Sequence, residues 1–353
     1  MASRLSSLLE KLEASSLDGF LVSKEANVSY LLSSAARDSY LLVSQKEIYF
    51  ITDFRYRLEA EKNIKGVRVF LYRNLFKDIA QLTKRLRINR LGFEAKDLPF
   101  AEYTRIKEYL GPKIKLIDTF NIIEALRQIK APDEIRHIKE AITITASAFK
   151  FLKGFLKTGQ SELEIAGELE RFIRLQGAHT AAFNLIAASG PNSSFPHAAI
   201  SQRKIQSSDL VLVDMGVEVN GYKSDLTRVF FSDKMTPLQR KIYKIIQEAQ
   251  GLAIEAVKPD RKISEIDRAA RKFITKCGYG KFFGHNLGHG VGLEVHEEPS
   301  ISARNESPLK EGMVFTIEPG IYLPRRFGIR LEDMVLVTKK GSEVLSGAVN
   351  KSI

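Results

Sequence analysis

Asp214 in VLVDMG, Asp225 in GYKSDLTR, His289 in GHGVGLEVH, Glu318 in TIEPG and Glu332 in RLEDM stand out because of their company. Each is an acid or an imidazole set in a short stretch that is otherwise apolar or glycine-rich. Four carboxylates and one imidazole form an oxygen-rich ligand set for two divalent cations. If the chain brings them together, the expected chemistry is metal-dependent hydrolysis.

The element that must position the first two is legible. LVLVDMGVEV reads as a strand, Asn220-Gly221 as a two-residue hairpin turn, and YKSDLTRVFF as the return strand. That register sets Asp214 opposite Thr227 and Asp225 opposite Gly216, with Asp214, Asp225 and Thr227 on one face. It also suggests that Gly216 leaves room for an ion. Ionised carboxylates on neighbouring strands repel, and burial makes the repulsion worse, so they call for a compensating cation. Glu318 closes the run MVFTI ahead of Pro319-Gly320, and Glu332 lies within the strand-like IRLEDMVLV. Each acid alone would read as a strand-end charge or a salt-bridge partner. Four in apolar strands make a stronger pattern.

The histidines cluster as well. His197, His285, His289 and His296 lie in Gly/Pro-rich or strand-edge contexts, whereas His137 and His179 read as ordinary surface residues. His285 and His289 have i, i+4 spacing, but Gly284, Gly288, Gly290 and Gly292 argue against a long helix there. GHGVG lacks the spacing of a dinucleotide loop. Ser193 and Ser194 lack the flanking glycines of a nucleophile elbow, so a serine nucleophile is not expected.

At 353 residues the chain is long for one core, and two domains are expected: residues 1–125, of α/β type, and residues 126–353, of α+β type with a mostly antiparallel sheet. The first alternates strands (19–23, 39–44, 47–52, 67–72, 90–95, 113–118) with helices near 54–62, 76–86 and 100–109, after an amphipathic N-terminal helix. In the second, Pro132 followed by Asp133 and Glu134 opens a long helix. SELE at Ser161 resembles a capping box, TP opens a helix over 236–258, and Gly278 closes one that starts at Ile263. The net charge of +12 is spread over both parts without basic runs, so it reads as solvated surface and not as a nucleic-acid interface. No apolar run is long enough to span a bilayer. The single cysteine, Cys277, excludes an internal disulfide and fits a reducing cytoplasm.

The order D-M-G…G-Y-x-S-D-x-T-R, G-H-x-x-G-H-G-V-G-x-x-V-H-E, E-P-G-I-Y and R-x-E-D resembles the Xaa-Pro peptidase family of aminopeptidase P and prolidase. SGPNSSFPHA (189–198) is similar to that family's substrate-side histidine motif. ITDFRY (51–56) is similar to the N-terminal domain of its short bacterial members. The resemblance implies a pita-bread catalytic domain behind a smaller N-terminal domain that shapes the substrate entrance and supports a homodimer. It implies Asp214, Asp225, His289, Glu318 and Glu332 as ligands of two divalent ions. Mn²⁺ is expected first, with Co²⁺, Fe²⁺ or Zn²⁺ as alternatives. It gives Glu318 a second role as proton acceptor. It makes His197 and His296 substrate-binding and transition-state-stabilising groups, and sets His285, Tyr322 and Arg330 along the site. The implied substrate is a peptide with proline in second position. ITDFRY and the histidine string lean toward the aminopeptidases, with the dipeptide-specific prolidases as the alternative. A metal-free binding protein on the same scaffold is the remote alternative, because five intact ligand positions speak against it.

Overall fold

The computed structural model describes residues 2–232 and 234–349. By density of internal packing the chain divides into two compact units, Met1–Arg127 and Gln128–Ile353.

In the first unit, six strands form one mixed sheet: β1 (Gly19–Val22), β2 (Tyr40–Ser44), β3 (Ile48–Thr52), β4 (Arg68–Leu71), β5 (Arg90–Glu94) and β6 (Lys115–Thr119), in the order β4-β3-β2-β1-β5-β6. Pairs β1–β2 and β2–β3 are antiparallel and the rest are parallel, as alternating strands and helices predict. The helices are α1 (Ala2–Ala14), α2 (Glu25–Leu32), α3 (Arg57–Asn63), α4 (Leu75–Arg85), α5 (Phe100–Leu110) and the short α6 (Glu124–Arg127). Helix α4 shows why such segments fold locally. Asn74 accepts from the Lys77 amide, Asp78 sits in the first turn, and Lys84 and Arg85 sit in the last. Its Ile79 and Leu82 then enter the core beneath the sheet. Helix α2 is absent from the sequence reading. Its stretch, EANVSYLL, is apolar on most sides and five of its residues are buried, so it shows little helical periodicity.

The second unit contains α7 (Pro132–Phe155), α8 (Glu162–Leu175), α9 (Pro237–Ala256) and α10 (Ile263–Lys276). Each start matches its local chemistry. The Ala131 amide donates to Glu134, Ser161 and Glu164 form a reciprocal capping box, and Thr236 and Gln239 form another. Gly278, at φ +87°, ends α10.

The strands of this unit are β7 (Thr180–Ala181), β8 (Ile186–Ser189), β9 (Leu210–Met215), β10 (Val217–Val219), β11 (Tyr222–Lys223), β12 (Leu226–Phe231), β13 (Gly288–Gly290), β14 (Glu297–Ile301), β15 (Val314–Ile317), β16 (Gly320–Leu323), β17 (Phe327–Arg330), β18 (Asp333–Thr338) and β19 (Gly341–Val344). They form antiparallel sheets in the orders β12-β9-β8, β11-β10-β7, β14-β13-β15-β18-β19 and β16-β17. The unit therefore repeats one theme, a helix pair followed by antiparallel strands, as the pita-bread expectation requires. One core gathers α7 and α8 with Val211, Val213 and Phe230, and the other gathers α9 and α10 with Leu210, Leu212 and Val229. Strand β9 thus faces a different core with each successive residue.

The expected hairpin forms with a qualification. Asn220 (φ +51°) and Gly221 (φ +83°) make the tight turn, Val219 pairs with Tyr222, and Asp214 pairs with Thr227. Each expected long strand is nonetheless split, at Gly216 on one side and at Ser224–Asp225 on the other. Gly216 does not leave space for an ion, as the sequence reading suggested. A Cβ there would collide with the Ser224 carbonyl oxygen, so glycine is needed for close backbone approach.

Candidate metal centre

Five short elements deliver the five candidate ligands to one place. Asp214 comes from β9, Asp225 from the break before β12, and His289 from β13. Glu318 follows β15, and Glu332 precedes β18. One ligand atom each from Asp214, Asp225 and Glu332 lie within 4.8 Å of one another, as do those from His289, Glu318 and Glu332. Glu332 belongs to both triads. A third grouping, Asp225 with His289 and His296, meets the same criterion and brings in a histidine expected at the substrate.

Polar partners fix these side chains. His289 Nε2 lies 3.3 Å from Glu318 Oε1 and 3.5 Å from Asp225 Oδ2, while its Nδ1 sits 3.2 Å from the Gly290 carbonyl oxygen. An Nδ1–H donated to that carbonyl leaves the Nε2 lone pair as the one available to a cation. Thr227 Oγ1 donates to Glu332 (2.6 Å) and Thr316 Oγ1 donates to Glu318 (3.1 Å). Arg330 donates to Asp214 Oδ2 (2.6 Å), Thr227 Oγ1 (3.0 Å), the Tyr322 hydroxyl (2.7 Å) and the Pro196 carbonyl (3.2 Å). The Tyr322 hydroxyl in turn stands 3.2 Å from His285 Nε2. The ring of His296 meets that of His289 edge-on, with centroids 4.2 Å apart.

The electrostatics describe a site short of positive charge. Burial pushes the Asp225 carboxyl well above the usual range, and the charges of Glu332 and Asp214 push it further. Burial does the same to Glu332, aided by Glu318 and Asp214. For Glu318, burial pulls upward, but the hydrogen bond and charge of His289 outweigh it and hold the carboxyl below its ordinary value. Burial pulls the His289 ring downward, and the Glu318 contact more than reverses that. Burial lowers His285, and burial with the nearby His289 lowers His296, so both rings are neutral near pH 7. Asp214 Oδ1 and Asp225 Oδ1 are buried with no hydrogen-bond partner. Orphaned carboxylate oxygens facing raised-pKa carboxyls fit a divalent cation in chemistry as well as in geometry.

All ten candidate residues line one cavity of about 740 Å³. His197 is on its wall without belonging to any ligand triad. Supporting residues that the sequence reading missed lie just behind. Gln250, fully buried on α9, donates through Nε2 to the carbonyls of Ile317 (2.9 Å) and Leu331 (3.0 Å), the residues immediately before Glu318 and Glu332. Arg228 pairs with Asp333 at 2.7 Å and donates to the Glu332 carbonyl at 2.6 Å. Asp267 and Arg271 hold the segment bearing His285. The available signal was a charge inside an apolar run, as at Arg228 and Asp333. Nothing in the local sequence marks Gln250.

Residues 136–339 match the model of metallopeptidase family M24, and residues 4–129 match the creatinase/prolidase N-terminal domain. The Xaa-Pro dipeptidase of Pyrococcus furiosus is 37% identical over 348 residues, covering 98% of each chain. The solved Xaa-Pro dipeptidase of Bacillus anthracis superposes with a TM-score of 0.95 at 36% identity, covering 98% of this chain and 97% of that one. The X-Pro aminopeptidase of Thermotoga maritima gives 0.92 at 34% identity, covering 99% of each. With the ligand geometry and both domain matches in agreement, the chain belongs to metallopeptidase family M24, and within it to the Xaa-Pro peptidase type that carries a creatinase/prolidase N-terminal domain.

Proposed function

We propose that this hydrolase cleaves the bond between an N-terminal residue and proline, with Xaa-Pro dipeptides as its preferred substrates. The observation that carries the proposal is the convergence of Asp214, Asp225, His289, Glu318 and Glu332, with two orphaned carboxylate oxygens, on a single cavity. The motifs alone lean toward longer peptides. Relatives matched over nearly their whole length and named Xaa-Pro dipeptidase move the proposal to dipeptides. The aminopeptidase of similar fold keeps longer peptides as the second reading.

Asp214, Asp225, His289, Glu318 and Glu332 are the proposed holders of two divalent ions. Mn²⁺ is the expected occupant, because an oxygen-rich set with one imidazole suits it. Bound there, such ions supply Lewis acidity and activate a water. The remaining work falls to the chain. Glu318, kept ionised by His289, is placed to accept a proton and pass it on. That proton is needed, because a proline nitrogen carries no hydrogen of its own and leaves as an amine only once protonated. Neutral His296 can donate a hydrogen bond to oxygen charge that develops in the transition state. His197, which lines the same cavity, is proposed to contact the substrate, and the hydrogen-bonded chain Arg330–Tyr322–His285 fixes side chains along it. The proposed assembly is a homodimer, which sedimentation would test.

The test is a peptide-length series. Gly-Pro and an Xaa-Pro-Yaa tripeptide are assayed with Mn²⁺ and with chelator. Faster turnover of the dipeptide supports the proposal, and faster turnover of the tripeptide favours the second reading. Equal hydrolysis of both with and without chelator rejects the metal-dependent mechanism.

A further inference from the structure

Outside the metal centre, Glu162, the first residue of α8 and fully buried, accepts six hydrogen bonds. Its Oε1 accepts from the Ser189 amide (2.6 Å), the Ser189 hydroxyl (2.8 Å) and Asn192 Nδ2 (3.1 Å). Its Oε2 accepts from the Ser201 hydroxyl (2.6 Å), the Ser201 amide (3.2 Å) and again Asn192 Nδ2 (3.1 Å). Every partner is a donor. An ionised carboxylate, which only accepts, can collect such a set, whereas a side-chain amide would turn donor against donor.

The partners' positions are the informative part. Ser189 ends β8 and Ser201 lies twelve residues on, so one carboxylate closes both ends of the segment 190–200 and holds Asn192 within it. Between the closure points, Pro196, His197, Ala198, Ala199 and Ile200 all face the cavity. The Glu162 amide also donates to the Arg203 carbonyl at 3.1 Å, and Arg203 pairs with Asp209 at 2.6 Å. The turn at the start is fixed further by Gly190, at φ +48°, where a Cβ would collide with Asp209. The far side is held by Ser193, whose hydroxyl accepts from the Gly328 amide at 2.9 Å, and by the Arg330 contact to the Pro196 carbonyl.

We propose that Glu162 is a positioning residue for His197: by closing the segment 190–200 it sets the height of that imidazole in the cavity. The inference rests on the Xaa-Pro reading for the role of His197, not for the clamp itself. It predicts a functional coupling that a simple stabilising contact would not produce.

The experiment compares metal-loaded wild type, Glu162→Gln, His197→Ala and the double variant on an Xaa-Pro substrate, recording kcat and KM separately together with metal content. Misplacing a substrate-contacting group by about an ångström costs on the order of a hundredfold. The expectation is therefore a fall of about ten- to a hundredfold in kcat/KM for Glu162→Gln, with metal content unchanged. The double variant should be no worse than His197→Ala alone. A double variant that loses the product of the two single effects, a Glu162→Gln enzyme with normal kcat/KM, or a His197→Ala enzyme with normal kcat/KM overturns the inference. Should Glu162→Gln fail to fold, Ser201→Ala removes one clamp hydroxyl and should show the same non-additivity with a smaller loss; normal kcat/KM there also overturns it. Should the wild type hydrolyse no Xaa-Pro substrate, the functional reading fails separately. Amide hydrogen exchange then decides: faster exchange in Glu162→Gln confined to 190–200 supports the clamp, and unchanged exchange rejects it.

Discussion

At the scale of single residues, the centre is a store of repulsion that a cation relieves. Asp225 and Glu332 hold protons in the metal-free protein that an unfolded chain gives up from about pH 4 upward. The folded state therefore binds more protons than the unfolded one above that point, and stability falls as pH rises. His289 acts in the same direction, because its contribution is complete below about pH 6.5 and is lost as pH rises through its elevated folded value. Glu318 opposes both, but only in the acid range, because its folded value is depressed. Urea denaturation of metal-free protein between pH 5 and 8 should show this decline, and saturating Mn²⁺ should abolish it. Mn²⁺ added at pH 6 in weak buffer should release protons, readable with a pH electrode. Asp225→Asn should raise the melting temperature of the metal-free protein toward the upper end of that pH range, because an amide never has to ionise where burial and the charges of Glu332 and Asp214 oppose it. The same variant should weaken Mn²⁺ binding at least tenfold by calorimetry, a loss of about 1.4 kcal/mol or more. A metal-free Asp225→Asn protein less stable than wild type would contradict the account.

Elements carry the next layer. Gln250 reaches from α9 to two carbonyls that precede two ligands, so it sets the spacing between the strand ends that carry Glu318 and Glu332. Gln250→Ala leaves both buried carbonyls without that donor, at a cost of about 1–3 kcal/mol each. The expected outcome is a loss of about 2–6 kcal/mol in urea denaturation together with weaker Mn²⁺ binding. Normal affinity in a destabilised variant would make Gln250 structural only. This layer also marks where the sequence stops being readable. Asn220-Gly221 announces its turn and fixes the Asp214–Thr227 register, and Ser161 and Thr236 announce helix starts, because those signals lie within a few residues. The five candidate ligands could be singled out by their types and apolar surroundings, and the motif order shared with Xaa-Pro peptidases grouped them. Gln250, Glu162 and the Arg228–Asp333 pair could not, because their partners lie far along the chain and their own neighbours are ordinary helix or strand residues. The broken strands at Gly216 and Ser224 were hidden for a related reason: the break depends on how closely two backbones approach.

For the molecule as a whole, each compact unit packs its own hydrophobic residues, in two clusters in the second, and every candidate ligand belongs to that second unit. Calorimetric melting should therefore show one transition that moves with Mn²⁺ and one that does not. At a hundred times the dissociation constant the shift corresponds to about 2.7 kcal/mol. Equal movement of the whole profile would show that the units unfold as one. The net charge of +12 predicts retention on a polyanion column that fades as salt shortens the Debye length below about 10 Å.

Strand β9 has a practical consequence for anyone inserting or deleting residues in this chain. Because its neighbouring side chains serve opposite cores, one surplus residue between 210 and 214 would rotate everything after it by half a turn. A valine would then occupy the place of the candidate ligand Asp214, and a carboxylate would be driven into oil. Two surplus residues would restore the facing while lengthening the strand, so tolerance to insertion here should alternate with parity.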